Sequence, residues 1–428
     1  MNGDDRRYRK ALEACLRRLE PYPKGRFAGQ GIVICAGGPA LFTNAFVLVH
    51  VLRTALRCRL PIEVWYFGRP ELSPRMANLL HLMDVRTVDA TDELVKQPAA
   101  ITDGWQLKAY ALIASAFEQT LLLDADIVPT RDPACVFDWP EFESTGAVLW
   151  PDLVDLVAES HIWRACGLAP RTVASIESGQ VLIDKAKCWQ ALQVTLHLNE
   201  CAEHYYRFVY GDKDTWQLGF LLTGSAYSLI PQRPLADGSW CFYQRDFEGG
   251  ILFQHRTRAK WRYSGAQDDL PGFVGLEACI DALSALRRDW NGIVFNAPER
   301  NLEALRLDAQ LARQCHFRFW VPGQTPEKLQ LLADGEIGPG SNNERRNWYS
   351  EVEAGEIRLI ICDAFGPRWR FTREVDGRWA GRSLIDPTIE AYLVADARHG
   401  AASEDARSYV NAQWPGHLSY SSREEAGA

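Results

Sequence analysis

The sequence predicts an α/β protein, a mixed open sheet with helices on both faces, followed by a small antiparallel β domain near the C-terminal end. Three observations predict it. Short apolar strands alternate with helical stretches through most of the chain, and a glycine turn follows the first of those strands. From Cys315 onward the pattern changes to short β-like runs divided by glycine- and proline-containing turns. With 428 residues, 47% of them hydrophobic and 24% charged, the chain suffices for two to three domains, or for one large α/β domain with an appendage. A net charge of −8 argues against a general nucleic-acid binder. No apolar run approaches the roughly 18 residues of a membrane span, and the longest, Ala45 to Leu56, contains His50 and Arg53. The first residues lack the apolar segment of a signal peptide. Eleven scattered cysteines with no Cys-x-x-Cys pair fit reduced, mostly buried thiols, so a cytoplasmic setting is expected.

In chain order, residues 4–20 carry Leu12, Leu16 and Leu19 at helical spacing among six arginines and lysines. This N-terminal element, 1–27, reads as an amphipathic helix packed on the main domain, or as a basic helix making peripheral contact with an anionic membrane. Pro21 and Pro23 end it. Gly31 to Cys35 is a buried strand entering the turn Ala36-Gly37-Gly38. Residues 44–56 continue as a helix and 61–67 as the next strand. This order is that of a nucleotide-binding half of an open sheet, where glycines let the backbone approach a base or ribose; a tight turn without a ligand reads equally well. Residues 79–88 give a helix end and a short strand. Residues 106–118 form a helix with Lys108 near its start, a phosphate or base contact or an ordinary surface lysine.

That helix leads into Thr120 to Pro129, an apolar strand carrying Asp124 and Asp126 one residue apart. In a strand the two carboxylates share a side. They would repel each other unless a cation or proton lies between them. Oxygen ligands of this kind suit Mg²⁺ or Mn²⁺ with positions left open for a diphosphate, whereas a strand end facing water would need neither. Beyond the pair, 147–152 is a strand ending in Trp150, Pro151 and Asp152. Glu177-Ser178-Gly179-Gln180 and Gly211-Asp212-Lys213-Asp214-Thr215 each set polar groups beside a glycine, with a helix at about 188–199 between them. Residues 251–256 form a strand closing on His255, with Lys260 and Trp261 shortly after.

Ile34 to Gly38, Leu123 to Asp126, Trp150 to Asp152, Glu177 to Gln180 and Gly211 to Thr215, in this order, resemble the fungal α-mannosyltransferases of the Mnn1/Mnn2 type over about residues 28–262. The resemblance implies a GT-A (Rossmann-like) catalytic domain, placed at 28–300, and a metal-dependent, retaining hexosyl transfer. The hexose, mannose before galactose or glucose, would come from GDP-mannose or a UDP-hexose and go to a saccharide or glycoconjugate acceptor. It implies that Asp124 and Asp126 chelate Mn²⁺ or Mg²⁺. The looser likeness to glycogenin-like transferases adds His255 as third ligand and Lys260 as a phosphate contact. Ala36, Gly37, Gly38 and Lys108 would hold the nucleotide, with Trp150, Asp152, Ser178 and Gly179 also on the donor. Glu177, Gln180, Asp212, Lys213 and Asp214 would line the sugars. Lys213 stands where the glycogenin-like enzymes carry a glutamine, so no covalent nucleophile is assigned. The fungal enzymes carry an N-terminal membrane anchor and work in the Golgi, and the absence of a similar segment here leaves donor and acceptor open.

Two other readings compete. A haloacid-dehalogenase-like phosphatase would use Asp124 as nucleophile and Asp126 as acid/base, but a complete β-α unit precedes this strand and no convincing paired-aspartate motif of that family follows it. A non-catalytic sugar-binding pseudo-transferase would not need the two carboxylates. In the final third, residues 302–311 are helical and 312–397 are expected to form a sandwich or half-barrel, with turns at 338–343 and at Asp376-Gly377. Trp348, Tyr349, Trp369 and Trp379 read as its core, or as a sugar-stacking platform. Residues 398–428 read as a flexible tail.

Overall fold

The computed structural model describes residues 3–68, 71–102, 104–236, 241–290, 302–332, 347–353, 355–363 and 367–396, with single positions between 335 and 345. The expected tail at 398–428 and part of the turn at 338–343 lie outside the described residues. The chain divides into two compact units, Met1–Trp290 and Asn291–Ala428.

The strands of the first unit are β1 (Gln30–Cys35), β2 (Ile62–Tyr66), β3 (Val85–Asp89), β4 (Gln119–Asp124), β5 (Ile127–Pro129), β6 (Ala147–Leu156), β7 (Val173–Asp184), β8 (Ser228–Leu229), β9 (Leu235–Ala236), β10 (Phe242–Arg245) and β11 (Ile251–His255). Its helices are α1 (Gly3–Arg17), α2 (Gly38–His50), α3 (Pro74–His81), α4 (Ala90–Lys96), α5 (Gly104–Ala114), α6 (Pro140–Thr145), α7 (His161–Cys166), α8 (Lys185–Glu200), α9 (Ala202–Tyr205), α10 (Lys213–Thr223) and α11 (Leu276–Asp289).

Seven strands form one mixed sheet in the order β3-β2-β1-β4-β7-β6-β8. Strands β3, β2, β1 and β4 run parallel, and β7 is antiparallel to β4 and β6. This is the mixed α/β sheet expected from the sequence. Ile32, Val33 and Ile34 of β1 and Leu121, Leu122 and Leu123 of β4 are all fully buried, as continuous apolar strands covered on both faces must be. On one face, Leu107 and Ala111 of α5 and Leu192 of α8 pack against Leu122, Val181 and Ile183, each buried leucine contributing roughly 1.5–3 kcal/mol. Helix α2 starts at Gly38 rather than at 44, because extended Gly37 caps it and Pro39 sits in its first turn. A π-helical turn, Val51–Ala55, ends it. Helix α5 runs from Gly104 to Ala114, earlier than the 106–118 expected.

The stretch 120–129 is not one strand. A turn at Ala125-Asp126 breaks it, and β5 joins a second, antiparallel sheet in the order β5-β11-β10-β9. There His255 pairs in register with Ile127, and the Arg256 N–H donates to the Asp126 carbonyl at 3.0 Å. Helix α1 buries Leu12 completely among Trp163, Val194, Leu198 and Tyr205, with Leu16 and Leu19 packed alongside. Its apolar face is therefore covered by its own unit, which leaves the membrane-surface reading without a face to insert. Among the described residues no helix is long and apolar enough to cross a membrane.

The second unit comprises α12 (Leu302–Gln314), β12 (His316–Trp320), β13 (Glu327–Gln330), β14 (Asn347–Glu353), β15 (Glu356–Cys362), β16 (Pro367–Arg373), β17 (Trp379–Ser383) and β18 (Glu390–Ala395). Its strands make a single antiparallel sheet, β13-β12-β18-β17-β16-β15-β14, not a sandwich. Helix α12 supplies Leu307 and Leu311 to its core, and the Ser350 hydroxyl donates to the Ala304 carbonyl at 3.0 Å. The Asp376-Gly377 turn joins β16 to β17, with Gly377 at φ +85°. Trp348, Tyr349, Trp369 and Trp379 are 3, 6, 4 and 2% exposed. They are core, and no ring face is left over for a sugar.

Candidate active site

Parallel strands deliver their last residues to one end of a sheet, and the charged groups of this protein gather there. Asp124 ends β4, Asp126 lies in the following turn, and His255 ends β11. A carboxylate oxygen from each aspartate and a ring nitrogen of His255 all lie within 4.8 Å of one another. His255 Nε2 is 3.2 Å from Asp126 Oδ1 and 3.8 Å from Asp124 Oδ2. Its Nδ1 is 3.3 Å from Glu177 Oε1 on β7. A carboxylate behind an imidazole is the arrangement that orients a metal-binding histidine. Gly179 makes room for that ring, since a Cβ there would lie 2.6 Å from His255 Nδ1. Two carboxylates and one imidazole, backed in this way, fit a hard to borderline divalent cation of the Mn²⁺ or Mg²⁺ kind.

Three lysines surround the triad. Lys108 of α5 donates to Asp124 at 2.9 Å and lies 3.7 Å from Asp212. Lys213, in the first turn of α10, bridges Glu177 at 2.7 Å and Asp152 at 2.9 Å. Lys260 pairs with Asp126. Five carboxylates (Asp124, Asp126, Asp152, Glu177, Asp212) thus meet three ammonium groups and one imidazole, which is how so many charges are kept inside a protein. Burial opposes the charge on His255, but Asp126 and Glu177 outweigh it and hold its pKa up at about 10. Burial likewise opposes charge on Asp126 and Glu177. Lys260 and His255 reverse this for Asp126, and His255 and Lys213 for Glu177, so both carboxyls sit well below the usual range. Lys108 and Lys213 are held above theirs by their carboxylate partners, against burial. Burial raises Asp212 in spite of Lys108.

Asp124, Asp126, His255, Lys108, Lys260, Glu177, Gly179, Lys213, Asp152 and Asp212 therefore come together, with Ser178 accepting from Lys108 through its carbonyl at 3.4 Å. Others that the sequence singled out are placed differently. Trp150 is fully buried, its indole N–H held by the Arg245 carbonyl at 2.8 Å, so it packs the interior instead of presenting a face to a donor. Asp214 accepts from the Ser175 hydroxyl at 2.8 Å and the Ile176 N–H at 3.0 Å, which fastens α10 to β7. Gln180 is buried opposite Leu123 in the β4–β7 register, its amide without a hydrogen-bond partner among the described residues. Ala36 is buried, and Gly37 is required by the Glu71 carboxylate, which would lie 1.8 Å from a Cβ there; Gly38, at φ +70°, has open space on its side-chain face. A groove lined by Gly29, Gln30, Leu60, Glu118 and Gln119 lies at the opposite end of β1 and β4 from Asp124.

Three contributors escape a reading of the sequence. Asn44, buried in α2, accepts from the Trp261 N–H at 2.8 Å and donates to its carbonyl at 3.1 Å. Arg256 lies over the rings of Trp261 and Phe273, 3.8 and 4.9 Å from their centres. Both secure the segment carrying Lys260. A polar residue inside an apolar helix was the available signal for Asn44. Glu71, accepting from the Phe67 N–H at 2.9 Å beside Gly37, had none.

Comparison with known proteins follows the same residues. Alpha-1,2-mannosyltransferase MNN2 of Saccharomyces cerevisiae is 26% identical over 310 residues, 61% of this chain and 51% of the yeast protein. Alpha-1,2-mannosyltransferase MNN21 of Candida albicans is 27% identical over 288 residues, 54% of this chain and 43% of its own length. The chain thus spans about half the length, or less, of these relatives. Among solved structures, the galactosyltransferase LgtC in complex with donor and acceptor sugar analogs aligns at a TM-score of 0.40 and 14% identity, over 60% of this chain and all of that one. The mannosyltransferase Ktr4p from S. cerevisiae in complex with GDP aligns at 0.31 and 8%, over 50% of this chain and 76% of that one. The pattern of the Mannosyl_trans3 mannosyltransferase family matches residues 29–170 and 168–255. That stretch, more than half of the 428 residues, contains every member of the metal-type triad, and the chain belongs to this mannosyltransferase family.

Proposed function

We propose that this protein transfers a mannosyl residue from GDP-mannose to a saccharide or glycoconjugate acceptor, with retention of anomeric configuration, using a divalent cation, Mn²⁺ before Mg²⁺. The observation that carries the reading is the Asp124–Asp126–His255 cluster at the carboxyl ends of β4 and β11, inside the part of the chain that matches the family. Retention is supported by the relatives' names, since an α-1,2 linkage keeps the anomeric sense of an α-linked nucleotide mannose. Neither the phosphatase nor the pseudo-transferase reading accounts for a histidine backed by Glu177 facing both aspartates.

Asp124, Asp126 and His255 would hold the cation, which supplies Lewis-acid neutralisation of the donor diphosphate. The chain's own groups do the rest. Glu177 holds the His255 ring through Nδ1. Lys260, paired with Asp126 and 43% exposed at its side chain, is placed to reach a phosphate oxygen as leaving-group charge builds. Lys108 is too buried for that reach and holds Asp124, while Lys213 bridges Glu177 and Asp152. Glu177 is held by Lys213, His255 and the Gly179 N–H together, and the proposal gives it a positioning role, not that of a nucleophile. A cytoplasmic setting is part of the same proposal, supported by eleven free thiols.

The test is thermal shift with GDP-mannose, UDP-glucose and UDP-galactose, each with Mn²⁺ and with EDTA. A ligand that binds only the folded state raises its melting temperature. A shift with GDP-mannose that disappears in EDTA is expected. A shift with UDP-sugars alone would reassign the donor, and no shift with any of them would overturn the reading.

A further inference from the structure

Among the described phenylalanine, tryptophan and tyrosine residues, Trp105 and Tyr210 are the only ones that are exposed, at 47 and 72%. Trp150, Trp163, Trp216 and Trp261 of the same unit are buried. The two exposed rings touch each other, with centroids 5.7 Å apart at 48°, and Tyr206 continues the cluster 6.3 Å from Trp105. Each exposed ring also stands three residues before a lysine of the charged site. On α5 that spacing sets Trp105 and Lys108 on neighbouring positions of one face, and Lys108 holds Asp124. Ahead of α10, Lys213 Nζ lies 5.6 Å from the centre of the Tyr210 ring while it bridges Glu177 and Asp152.

The platform is held in place. Gly211, at φ +63°, runs so close to Trp105 that a Cβ there would lie 2.8 Å from the indole. The Tyr206 hydroxyl donates to the buried Asn199. Two large rings left in water beside a buried charged site forgo the burial that the other indoles obtain. A sugar recovers it, because the C–H face of a pyranose packs on an aromatic ring while its hydroxyls stay at the polar edge.

We propose that Trp105 and Tyr210 form the acceptor subsite, a stacking platform for a pyranose ring of the saccharide that receives the transferred sugar. The proposal rests on the transferase reading above and names the part of the site that faces the second substrate. Lys213 and Asp152, paired at 2.9 Å at the inner edge of the platform, are the polar groups placed to meet acceptor hydroxyls.

The experiment measures transfer from GDP-mannose with Mn²⁺ to methyl α-mannoside, methyl α-glucoside and methyl α-galactoside, in the wild type and in Trp105→Ala, Tyr210→Ala and Tyr210→Phe. The expected result is an acceptor KM raised about tenfold in each alanine variant, with kcat little changed and the donor-induced thermal shift retained. Tyr210→Phe, which keeps the ring, is expected to keep the KM. An unchanged acceptor KM in both alanine variants would overturn the proposal, as would a wild type that binds donor but transfers to none of the three glycosides. An altered oligomeric state on gel filtration with unchanged KM would assign the rings to a contact between copies and overturn it as well. Loss of the donor shift in the wild type would instead remove the transferase reading itself, so the two failures are distinguishable.

Discussion

The two units solve opposite problems with similar strands. In the first, the apolar strand β4 ends on the charge of Asp124, and Asp124, Asp126, His255, Glu177, Lys108 and Lys213 are gathered where water is scarce. In the second, the sheet gathers Phe317, Phe319, Trp348, Trp369, Phe371 and Trp379 into one apolar core. Its ion pairs, such as Arg318–Asp396 and Arg358–Glu356, lie at part-exposed positions. A core of rings is what a small sheet needs to hold together, whereas a buried cluster of mutually satisfied charges is costly and gives less stability than apolar packing would. Such a cluster makes the first unit's strand ends the candidate place for chemistry.

The comparison can be broken most directly at Asp126. Asp126→Ala is expected to lower metal-dependent donor affinity by on the order of a hundredfold or more while leaving the fold intact. Circular dichroism and donor thermal shift with Mn²⁺ check it, and normal donor affinity in the variant would remove Asp126 as a ligand. In the second unit the matching deletion is Trp379→Ala, expected to cost about 3–5 kcal/mol. Urea unfolding should show that loss with the donor shift preserved, and loss of donor binding would show that this core serves the site as well. Gly179→Ala sharpens the contrast, because a single methyl group beside His255 changes chemistry without disturbing an apolar core. Mn²⁺ affinity, read by electron paramagnetic resonance, should fall roughly 10- to 100-fold with little change in melting temperature.

The smallest effect concerns a charge in the first unit that lies apart from the site. Lys185 is fully buried, donating to the Ser115 carbonyl at 2.7 Å and lying 4.1 Å from the centre of the Phe27 ring. Burial pulls its pKa down to about 6. The unfolded chain, with a lysine pKa of about 10.4, holds this proton more tightly. Stability therefore rises with pH between about 6 and 10.4 and loses this contribution as pH falls toward 6. Lys185→Met should flatten that slope, by roughly 2 kcal/mol between pH 6 and pH 8, in urea titrations at the two values. An unchanged slope would show that Lys185 is protonated in the folded protein.

Much of this was legible in the chain. Leu121-Leu122-Leu123 followed by two aspartates announces a buried strand that ends on charge, because a short apolar run before polar turn residues suits a strand covered on both faces. The switch from helix-spaced to alternating residues after Cys315 announces the second sheet for a similar reason. Local spacing could not say that the strand breaks at Ala125-Asp126, nor that the indoles at 348, 369 and 379 turn inward, since exposure is a property of the neighbours that cover a residue. Trp150 and Trp105 make the same point from opposite sides, one buried against Phe253 and the other left on the surface beside Gly211.

By itself, then, the sequence determined the strand-ending carboxylates, the alternation of strands and helices, and the motif order that marks the family. These depend on chemistry within a few residues, or on a linear pattern. Only the tertiary structure decided that β5 would pair with β11 and so bring His255 to Asp126, that Glu177 would stand behind the imidazole, and that Lys108, Lys213 and Lys260 would balance the carboxylates. Those contacts join residues far apart in the chain, and only the closing of the two sheets on one another brings their charges within reach.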